Sequence, residues 1–299
     1  MGRRKLLFRG TGTALVTPFK KDGSVDEVVL RELVDRQIKA GVEALVPVGS
    51  TGEGATLADV EQAQVIEMVV DQAHGRVPVI GGASSNATVK AVALAREVKR
   101  RGADAILTVA PFYNKPTQEG LYQHFSAIAD AVEMPIVIYN VPGRTASNIE
   151  AGTTLRLAEE VSYIAGIKEA SGNLSQIMEI LHHRPPGFGV WSGDDNMTFP
   201  LVALGADGII SVVSNEVPGE FSQMVRYALK GKFDKARKMH FHLLHLMNAN
   251  FIESNPIPVK AAMAMMGLLE ETYRLPLTQL SEGSRPKLEK ALKQLKLIR

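Results

Sequence analysis

Short apolar runs alternate along the chain with stretches whose apolar positions recur every three or four residues. The apolar runs cover 12–18, 44–49, 77–83, 103–110, 135–141, 163–170, 189–192 and 208–213. They are rich in Val and Ile and do not alternate cleanly with polar residues, the pattern of parallel strands buried on both faces. Between and after them, helical periodicity predicts helices over 26–39, 59–73, 87–101, 118–132, 151–160, 174–182, 196–204 and 216–229. Several of these close on a glycine just before the next strand, as in Lys39-Ala40-Gly41, Arg100-Arg101-Gly102 and Leu204-Gly205. A glycine there is the chemistry of a helix C-cap.

Eight strand–helix units in about 230 residues predict a (β/α)8 TIM barrel. A doubly wound sheet is the competing arrangement. It usually carries a glycine-rich nucleotide turn after its first strand, whereas Gly10-Thr11-Gly12-Thr13 precedes or opens a strand here. Further helices are predicted over 233–250, 258–266 and 286–296, and no low-complexity linker separates them from the barrel. The expectation is a barrel over 1–230 and a C-terminal helical extension over 231–299, packed on it as one structural unit.

Composition removes several classes of function. With 45% hydrophobic and 22% charged residues in 299, the chain has the means to bury a full core. Its 34 basic and 32 acidic residues nearly cancel, and no basic block interleaves with aromatics, which argues against nucleic acid or a membrane surface as a partner. The basic run 285–296 fits a solvated helix face. Cysteine is absent, which excludes disulfides, thiolate zinc sites and thiol catalysis. The basic amino end has an apolar run too short for a signal peptide, and no stretch approaches the length of a membrane span. A cytoplasmic location is therefore expected.

In barrel enzymes the active site forms at the C-terminal ends of the strands. Those ends carry Thr17, Gly49-Ser50-Thr51-Gly52-Glu53, Gly81-Gly82, Pro111-Phe112-Tyr113-Asn114, Tyr139-Asn140, Lys168-Glu169, Gly193-Asp194-Asp195 and Ser211. The set has one amine, two phenols, small hydroxyls and a glycine-rich turn. Lys168 ends a buried run, so it is either an ion-pair partner of Glu169 or an aspartate, or an amine whose lowered pKa makes it a nucleophile. Tyr139 is either core or a proton shuttle for imine chemistry. The turn 49–53 is either an ordinary connection or an anion-binding cradle, and Arg144 is either an idle loop arginine or a fork for a carboxylate. His240, His242 and His245 are not read as metal ligands, because only His242 and His245 could share a helix face and no carboxylate stands at matching spacing.

Taken together, these motifs are specific. The chain resembles the dihydrodipicolinate synthase family, within the N-acetylneuraminate lyase superfamily of pyruvate-dependent class I aldolases. The likeness runs from Gly12-Thr13-Ala14-Leu15-Val16-Thr17-Pro18-Phe19 through the turn 49–53, Pro111-Phe112-Tyr113-Asn114-Lys115-Pro116, Tyr139-Asn140-Val141-Pro142-Gly143-Arg144-Thr145 and Gly166-Ile167-Lys168-Glu169-Ala170. It continues through Ser192-Gly193-Asp194-Asp195 and Gly208-Ile209-Ile210-Ser211-Val212 to Asn255-Pro256-Ile257-Pro258-Val259-Lys260 and Arg274-Leu275-Pro276-Leu277. The resemblance implies that Lys168 forms a Schiff base with pyruvate. Tyr139 would be the central proton donor and acceptor, in a relay with Ser50 and with a Tyr113 that reaches into the neighbouring subunit's site. Thr51 and the backbone at Ile210 would hold the pyruvate carboxylate, Gly193 would belong to the same substrate-binding set, and Arg144 would bind the carboxylate of L-aspartate 4-semialdehyde. Attack by the enamine and cyclisation would give 4-hydroxy-tetrahydrodipicolinate, the first committed step of lysine and diaminopimelate biosynthesis. No metal or organic cofactor is implied, and the implied assembly is a homotetramer of tight dimers.

Two departures stand out. Relatives more commonly carry threonine where Ser50 stands; serine keeps the hydroxyl and loses the methyl that limits its rotamers. Lysine-inhibited relatives have histidines, a glutamate and a tyrosine where this chain has Asp59 and Gln62, Lys90 and Phe112. Lys90 in place of an acid repels a cationic effector, so weak or absent lysine feedback is expected. Alternatives are another pyruvate aldolase or sugar-acid lyase or dehydratase of the superfamily, and a keto-acid-binding barrel without turnover. Arg144 weighs against the first, Lys168 and Tyr139 together against the second.

Overall fold

The computed structural model describes residues 6–299; residues 1–5, the basic start of the amino end read above as too short a leader, lie outside the described residues. Eight strands form one parallel sheet: β1 (Gly10–Ala14), β2 (Ala44–Val46), β3 (Ile80–Gly82), β4 (Ala105–Val109), β5 (Ile136–Asn140), β6 (Ile164–Glu169), β7 (Gly189–Ser192) and β8 (Gly208–Ser211). Their order, β2-β1-β8-β7-β6-β5-β4-β3, is that of a barrel opened at one seam. A parallel bridge between Leu45 and Val79 spans that seam, with backbone bonds from Leu45 N to Pro78 O and from Gly82 N to Pro47 O, both 3.0 Å. The result is the expected (β/α)8 barrel with helices at its C-terminal end.

The helices form where capping and periodicity place them. Asp26 caps Glu27–Ala40 by accepting from Val29 N, Thr117 caps Gln118–Val132 and Asn173 caps Leu174–His183. Gly41, Gly102 and Gly205 take φ of +86°, +80° and +106°, conformations that residues with a Cβ rarely adopt. Several strands are shorter than the sequence reading, a short helix, Pro142–Thr145, was not read, and two differences bear on the end of the barrel. β1 begins at Gly10 and ends at Ala14, before Thr17, because Thr17 Oγ donates to Gly52 O at 2.7 Å and the chain turns out of the sheet there. The helix read over 196–204 is a 3-10 turn, Asp195–Met197, followed by a short helix, Thr198–Ala203.

Inside the barrel, Ala14, Ala44, Val46, Ile80, Ala105, Leu107, Val137, Tyr139, Trp191 and Ile210 form one cluster. Trp191 is fully buried and its ring lies where a Cβ on Gly189 or Gly166 would sit, 2.1 Å and 2.6 Å from ring carbons, so those two positions have no room for a side chain. Phe8 stacks on the indole at 4.8 Å between ring centroids. This packed plug leaves the opposite, C-terminal end of the strands for chemistry.

Helices Phe233–Ala249, Ile257–Met265 and Arg285–Gln294 pack on the barrel through Leu243, Leu246, Met247, Leu288 and Leu292 against Ile209, Val213, Phe221 and Val225. They are also tied to the barrel by charge. Lys260, with no exposed side-chain surface, pairs with the equally buried Glu53 of the turn after β2 and donates to Thr272 O at 2.7 Å. Arg274 pairs with Glu61, whose carboxyl it holds down at about 2, and stacks on Phe19 at 4.6 Å. No helix among the described residues is long and apolar enough to cross a membrane.

Candidate active site

The position of Lys168 depends on one extra residue. β5 and β6 run in register from Ile136↔Ile164, then shift so that Val137 pairs with Gly166 and Tyr139 with Lys168. Side chains alternate faces along a strand, so this bulge at Ala165 inverts the facing of everything after it. Without it, Lys168 would share the outward face of Ile164; with it, Lys168 points inward beside Tyr139.

There the Lys168 ammonium lies 4.3 Å from the centre of the Tyr139 ring, and both residues are buried. Burial lowers the lysine pKa to about 8; Arg144 pushes it the same way, while Asp194 and Asp195 favour the charged form. Among the described residues no carboxylate makes an ion pair with Lys168. Glu169 turns away to Asn140, Gln176 and Ser171 N. Asp195 accepts from Ser211 Oγ and from Val212 N and Val213 N, and burial raises it to about 6. The ion-pair reading of Lys168 is therefore not realised. Burial raises the Tyr139 phenol above its ordinary range, opposed by Arg144, so at neutral pH it holds its proton. A neutralisable amine stands beside a protonated phenol.

Gly193, after β7, presses on this lysine. A Cβ there would lie 3.1 Å from Lys168 Cε and 2.6 Å from Ala170 Cβ. Ile210 is buried on β8, inside the barrel. Thr51 is buried and its Oγ accepts from Asn255 Nδ2 at 3.0 Å. Arg144 is exposed and donates through Nη2 to Asn255 O at 3.2 Å. Ser50 is exposed, and Tyr113 is 89% exposed at a left-handed φ of +75°. No hydrogen bond joins Ser50, Tyr139 and Tyr113 within one chain among the described residues. Lys168, Tyr139 and Gly193 are thus brought into contact and Arg144 acts on them electrostatically, while the two outer hydroxyls stand apart.

Sequence reasoning assigned no site role to two participants. Asp194, raised by burial, faces Lys168 and Arg144 with its charge. Asn255 entered only as part of a family motif; an asparagine before Pro256 signals a turn and gives no hint of a reach to Thr51. The three histidines do not act together: the His240 ring is buried against Phe199 and Phe241, and His242 and His245 are exposed. No group of three or more His, Asp or Glu suited to a metal ion occurs among the described residues.

Behind the site, Glu216 is buried with Asn250 Nδ2 donating to its Oε2 at 2.6 Å, while its Oε1 has no partner among the described residues. Burial raises this carboxyl well above its ordinary value, Asp195 reinforces the shift and Arg36 opposes it. The fold accepts the neutral acid. The native protein is accordingly expected to lose stability as pH rises from the ordinary carboxyl range through the raised folded value, since only the unfolded chain releases that proton early. Glu216→Gln, neutral and isosteric, flattens this dependence in thermal melts taken across pH; a variant as pH-sensitive as the native protein refutes the assignment.

A (β/α)8 barrel that sets a buried lysine of lowered pKa against a buried phenol at the C-terminal end of its strands defines a class of lysine-bearing barrel enzymes. The chain belongs to the Dihydrodipicolinate synthetase family, which it matches over residues 7–295. It is 57% identical over 283 residues to the 4-hydroxy-tetrahydrodipicolinate synthase of Koribacter versatilis, covering 94% of both chains. To that of Chloroherpeton thalassium it is 52% identical, covering 100% of this chain and 98% of the relative. The crystal structure of dihydrodipicolinate synthase from Aquifex aeolicus superposes with a TM-score of 0.95 at 45% identity, over 97% of this chain and 99% of that one.

Proposed function

We propose that this protein condenses pyruvate with L-aspartate 4-semialdehyde to 4-hydroxy-tetrahydrodipicolinate, in lysine and diaminopimelate biosynthesis. The observation that carries the chemistry is the Lys168–Tyr139 pair, a buried amine with a pKa near 8 against a phenol that keeps its proton. The neutral Lys168 amine attacks the ketone carbon of pyruvate. The carbinolamine loses water with Tyr139 supplying and recovering the proton, leaving an imine. A methyl proton passes to the Tyr139 relay to give the enamine, whose carbon attacks the aldehyde carbon as the relay returns a proton to the aldehyde oxygen. The substrate amine then closes the ring by displacing Lys168 from the imine carbon, which restores the free amine. Thr51, Gly193 and the backbone at Ile210 cradle the pyruvate end, and Arg144 takes the carboxylate of the semialdehyde. No cofactor enters these steps.

Ser50 and Tyr113 complete the proton relay. The exposure and left-handed backbone of Tyr113 suit a side chain held ready for a neighbouring copy, so the functional unit is a tight dimer, paired further into a homotetramer. Residues 231–299 act with the barrel as one unit in the cytoplasm. The test is borohydride reduction in the presence of pyruvate followed by peptide mapping, with turnover on the semialdehyde compared against sugar acids. An adduct elsewhere than Lys168, or preference for a sugar acid, overturns the reading.

Lysine feedback is expected to be weak or absent. Lys90 pairs with Asp59 at 3.4 Å, and Gln62 spends its amide on Gly54 O and Leu57 O. A free cationic amino acid would meet an ammonium already in place. Half-inhibition by lysine below about 1 mM, roughly −4 kcal/mol of binding, contradicts this.

A further inference from the structure

We propose that Asn255 is a positioning residue that sets both carboxylate subsites at once, an inference that rests on the function proposed above. Asn255 is 6% exposed and lies at the entry to helix Ile257–Met265, outside the barrel strands. Its Nδ2 donates to Thr51 Oγ at 3.0 Å, and its backbone oxygen accepts from Arg144 Nη2 at 3.2 Å. A hydroxyl has one proton and two lone pairs. With one lone pair occupied by the amide N–H, the Thr51 proton is free to point at an anion rather than at the protein. The backbone oxygen stations the Arg144 guanidinium, whose remaining N–H groups are left for a second carboxylate. The same residue therefore holds the donor for the pyruvate end and the fork for the semialdehyde end.

One further contact holds the Asn255 segment in place. Five residues on, Lys260 is locked to Glu53, two residues past Thr51, so the segment 255–260 and the turn 49–53 are joined at both ends. The remaining amide oxygen, Oδ1, is buried with no partner among the described residues. A carboxylate placed there would face Thr51 without a donor of its own. It would draw the Thr51 proton to itself and put a negative charge beside an anion site.

Asn255→Asp and Asn255→Ala test this. The Asp variant is expected to raise the KM of pyruvate by at least about tenfold, and that of the semialdehyde as well, because its new charge competes for the Arg144 guanidinium. The Ala variant keeps the backbone oxygen that accepts from Arg144 and is expected to raise the pyruvate KM alone, with kcat reduced less than the pyruvate KM rises. In a Thr51→Val background, Asn255→Asp is expected to add little to the pyruvate KM and to keep its effect on the semialdehyde KM. A purely structural role would move melting temperature and leave this pattern absent. Both KM values within about twofold of native in a folded Asp variant, or additive effects on the pyruvate KM, overturn the proposal. Asn255→Ser is measured in the same way if the Asp variant does not fold. Borohydride trapping at saturating pyruvate separates the two readings. Lys168 labelled in the native protein with unchanged KM values in the variants defeats only the positioning role, and no label in the native protein defeats the function beneath it.

Discussion

Lys168→Met is expected to reduce condensation by about three orders of magnitude or more while leaving the protein as stable as before, or more so. The loss follows because Lys168 is the one amine among the residues at the C-terminal ends of the described strands, and covalent catalysis has no bypass without its nucleophile. The stability follows from the environment. The native lysine is buried, pushed down to a pKa of about 8 and without an ion pair among the described residues. Its charged form is therefore destabilising to the fold, and methionine fills the same space without that penalty. Steady-state turnover and thermal melting measure the two halves separately. Activity within about tenfold of native would remove Lys168 from the mechanism, and a collapse in melting temperature would show that its role includes structure. In the native protein the rate of reductive trapping by pyruvate should rise with pH through about 8 and then level off, because the raised pH supplies the neutral amine.

Lys260→Met is the second large effect, and it runs the other way, destabilising the protein by roughly 3–5 kcal/mol because Glu53 is left charged and buried without its partner. Both side chains of this pair are fully inaccessible, so neither gains water when the other is removed. Lys260 also lies 4.3 Å from the Phe19 ring centre and donates to Thr272 O, contacts that methionine replaces only in part. Lys260→Met combined with Glu53→Gln is expected to recover most of the loss, since two neutral groups of similar volume satisfy the site better than a lone carboxylate. Chemical denaturation of the two single variants and the double variant gives the coupling. A single-variant cost below about 1 kcal/mol would mean that the pair is solvated in solution. Because Glu53 belongs to the turn that carries Thr51, the single variants should also raise the pyruvate KM.

Much of the barrel was legible in the sequence because parallel strands buried on both faces have to be apolar throughout, and because helix ends need glycines and polar caps. Lys168 was legible for the same reason: a lysine at the end of an apolar run is an anomaly that calls for an explanation. Its partner was legible only as a residue type. Ser50 and Tyr113 were recognised by family likeness, and the single chain leaves them exposed and unjoined to Tyr139. Glu53 read as part of a turn that is either an ordinary connection or an anion-binding cradle, and its carboxylate is committed to Lys260. Asn255 gave no sign of its contact with Thr51, because the two lie 204 residues apart.

By itself, then, the chain determined the number and order of strands, the helices between them, the residues free of cysteine chemistry and the one amine set among apolar neighbours. These are local properties, written in periodicity and composition over a few residues at a time. The tertiary structure decided which way that amine points. A single residue inserted at Ala165 turns Lys168 from the outer face of β6 to the inner one, opposite Tyr139. No local pattern encodes such a shift, since it is a property of how two strands pair. The same holds for the contacts from Asn255 to Thr51 and from Lys260 to Glu53, which exist only once the helices after the barrel fold back over its open end.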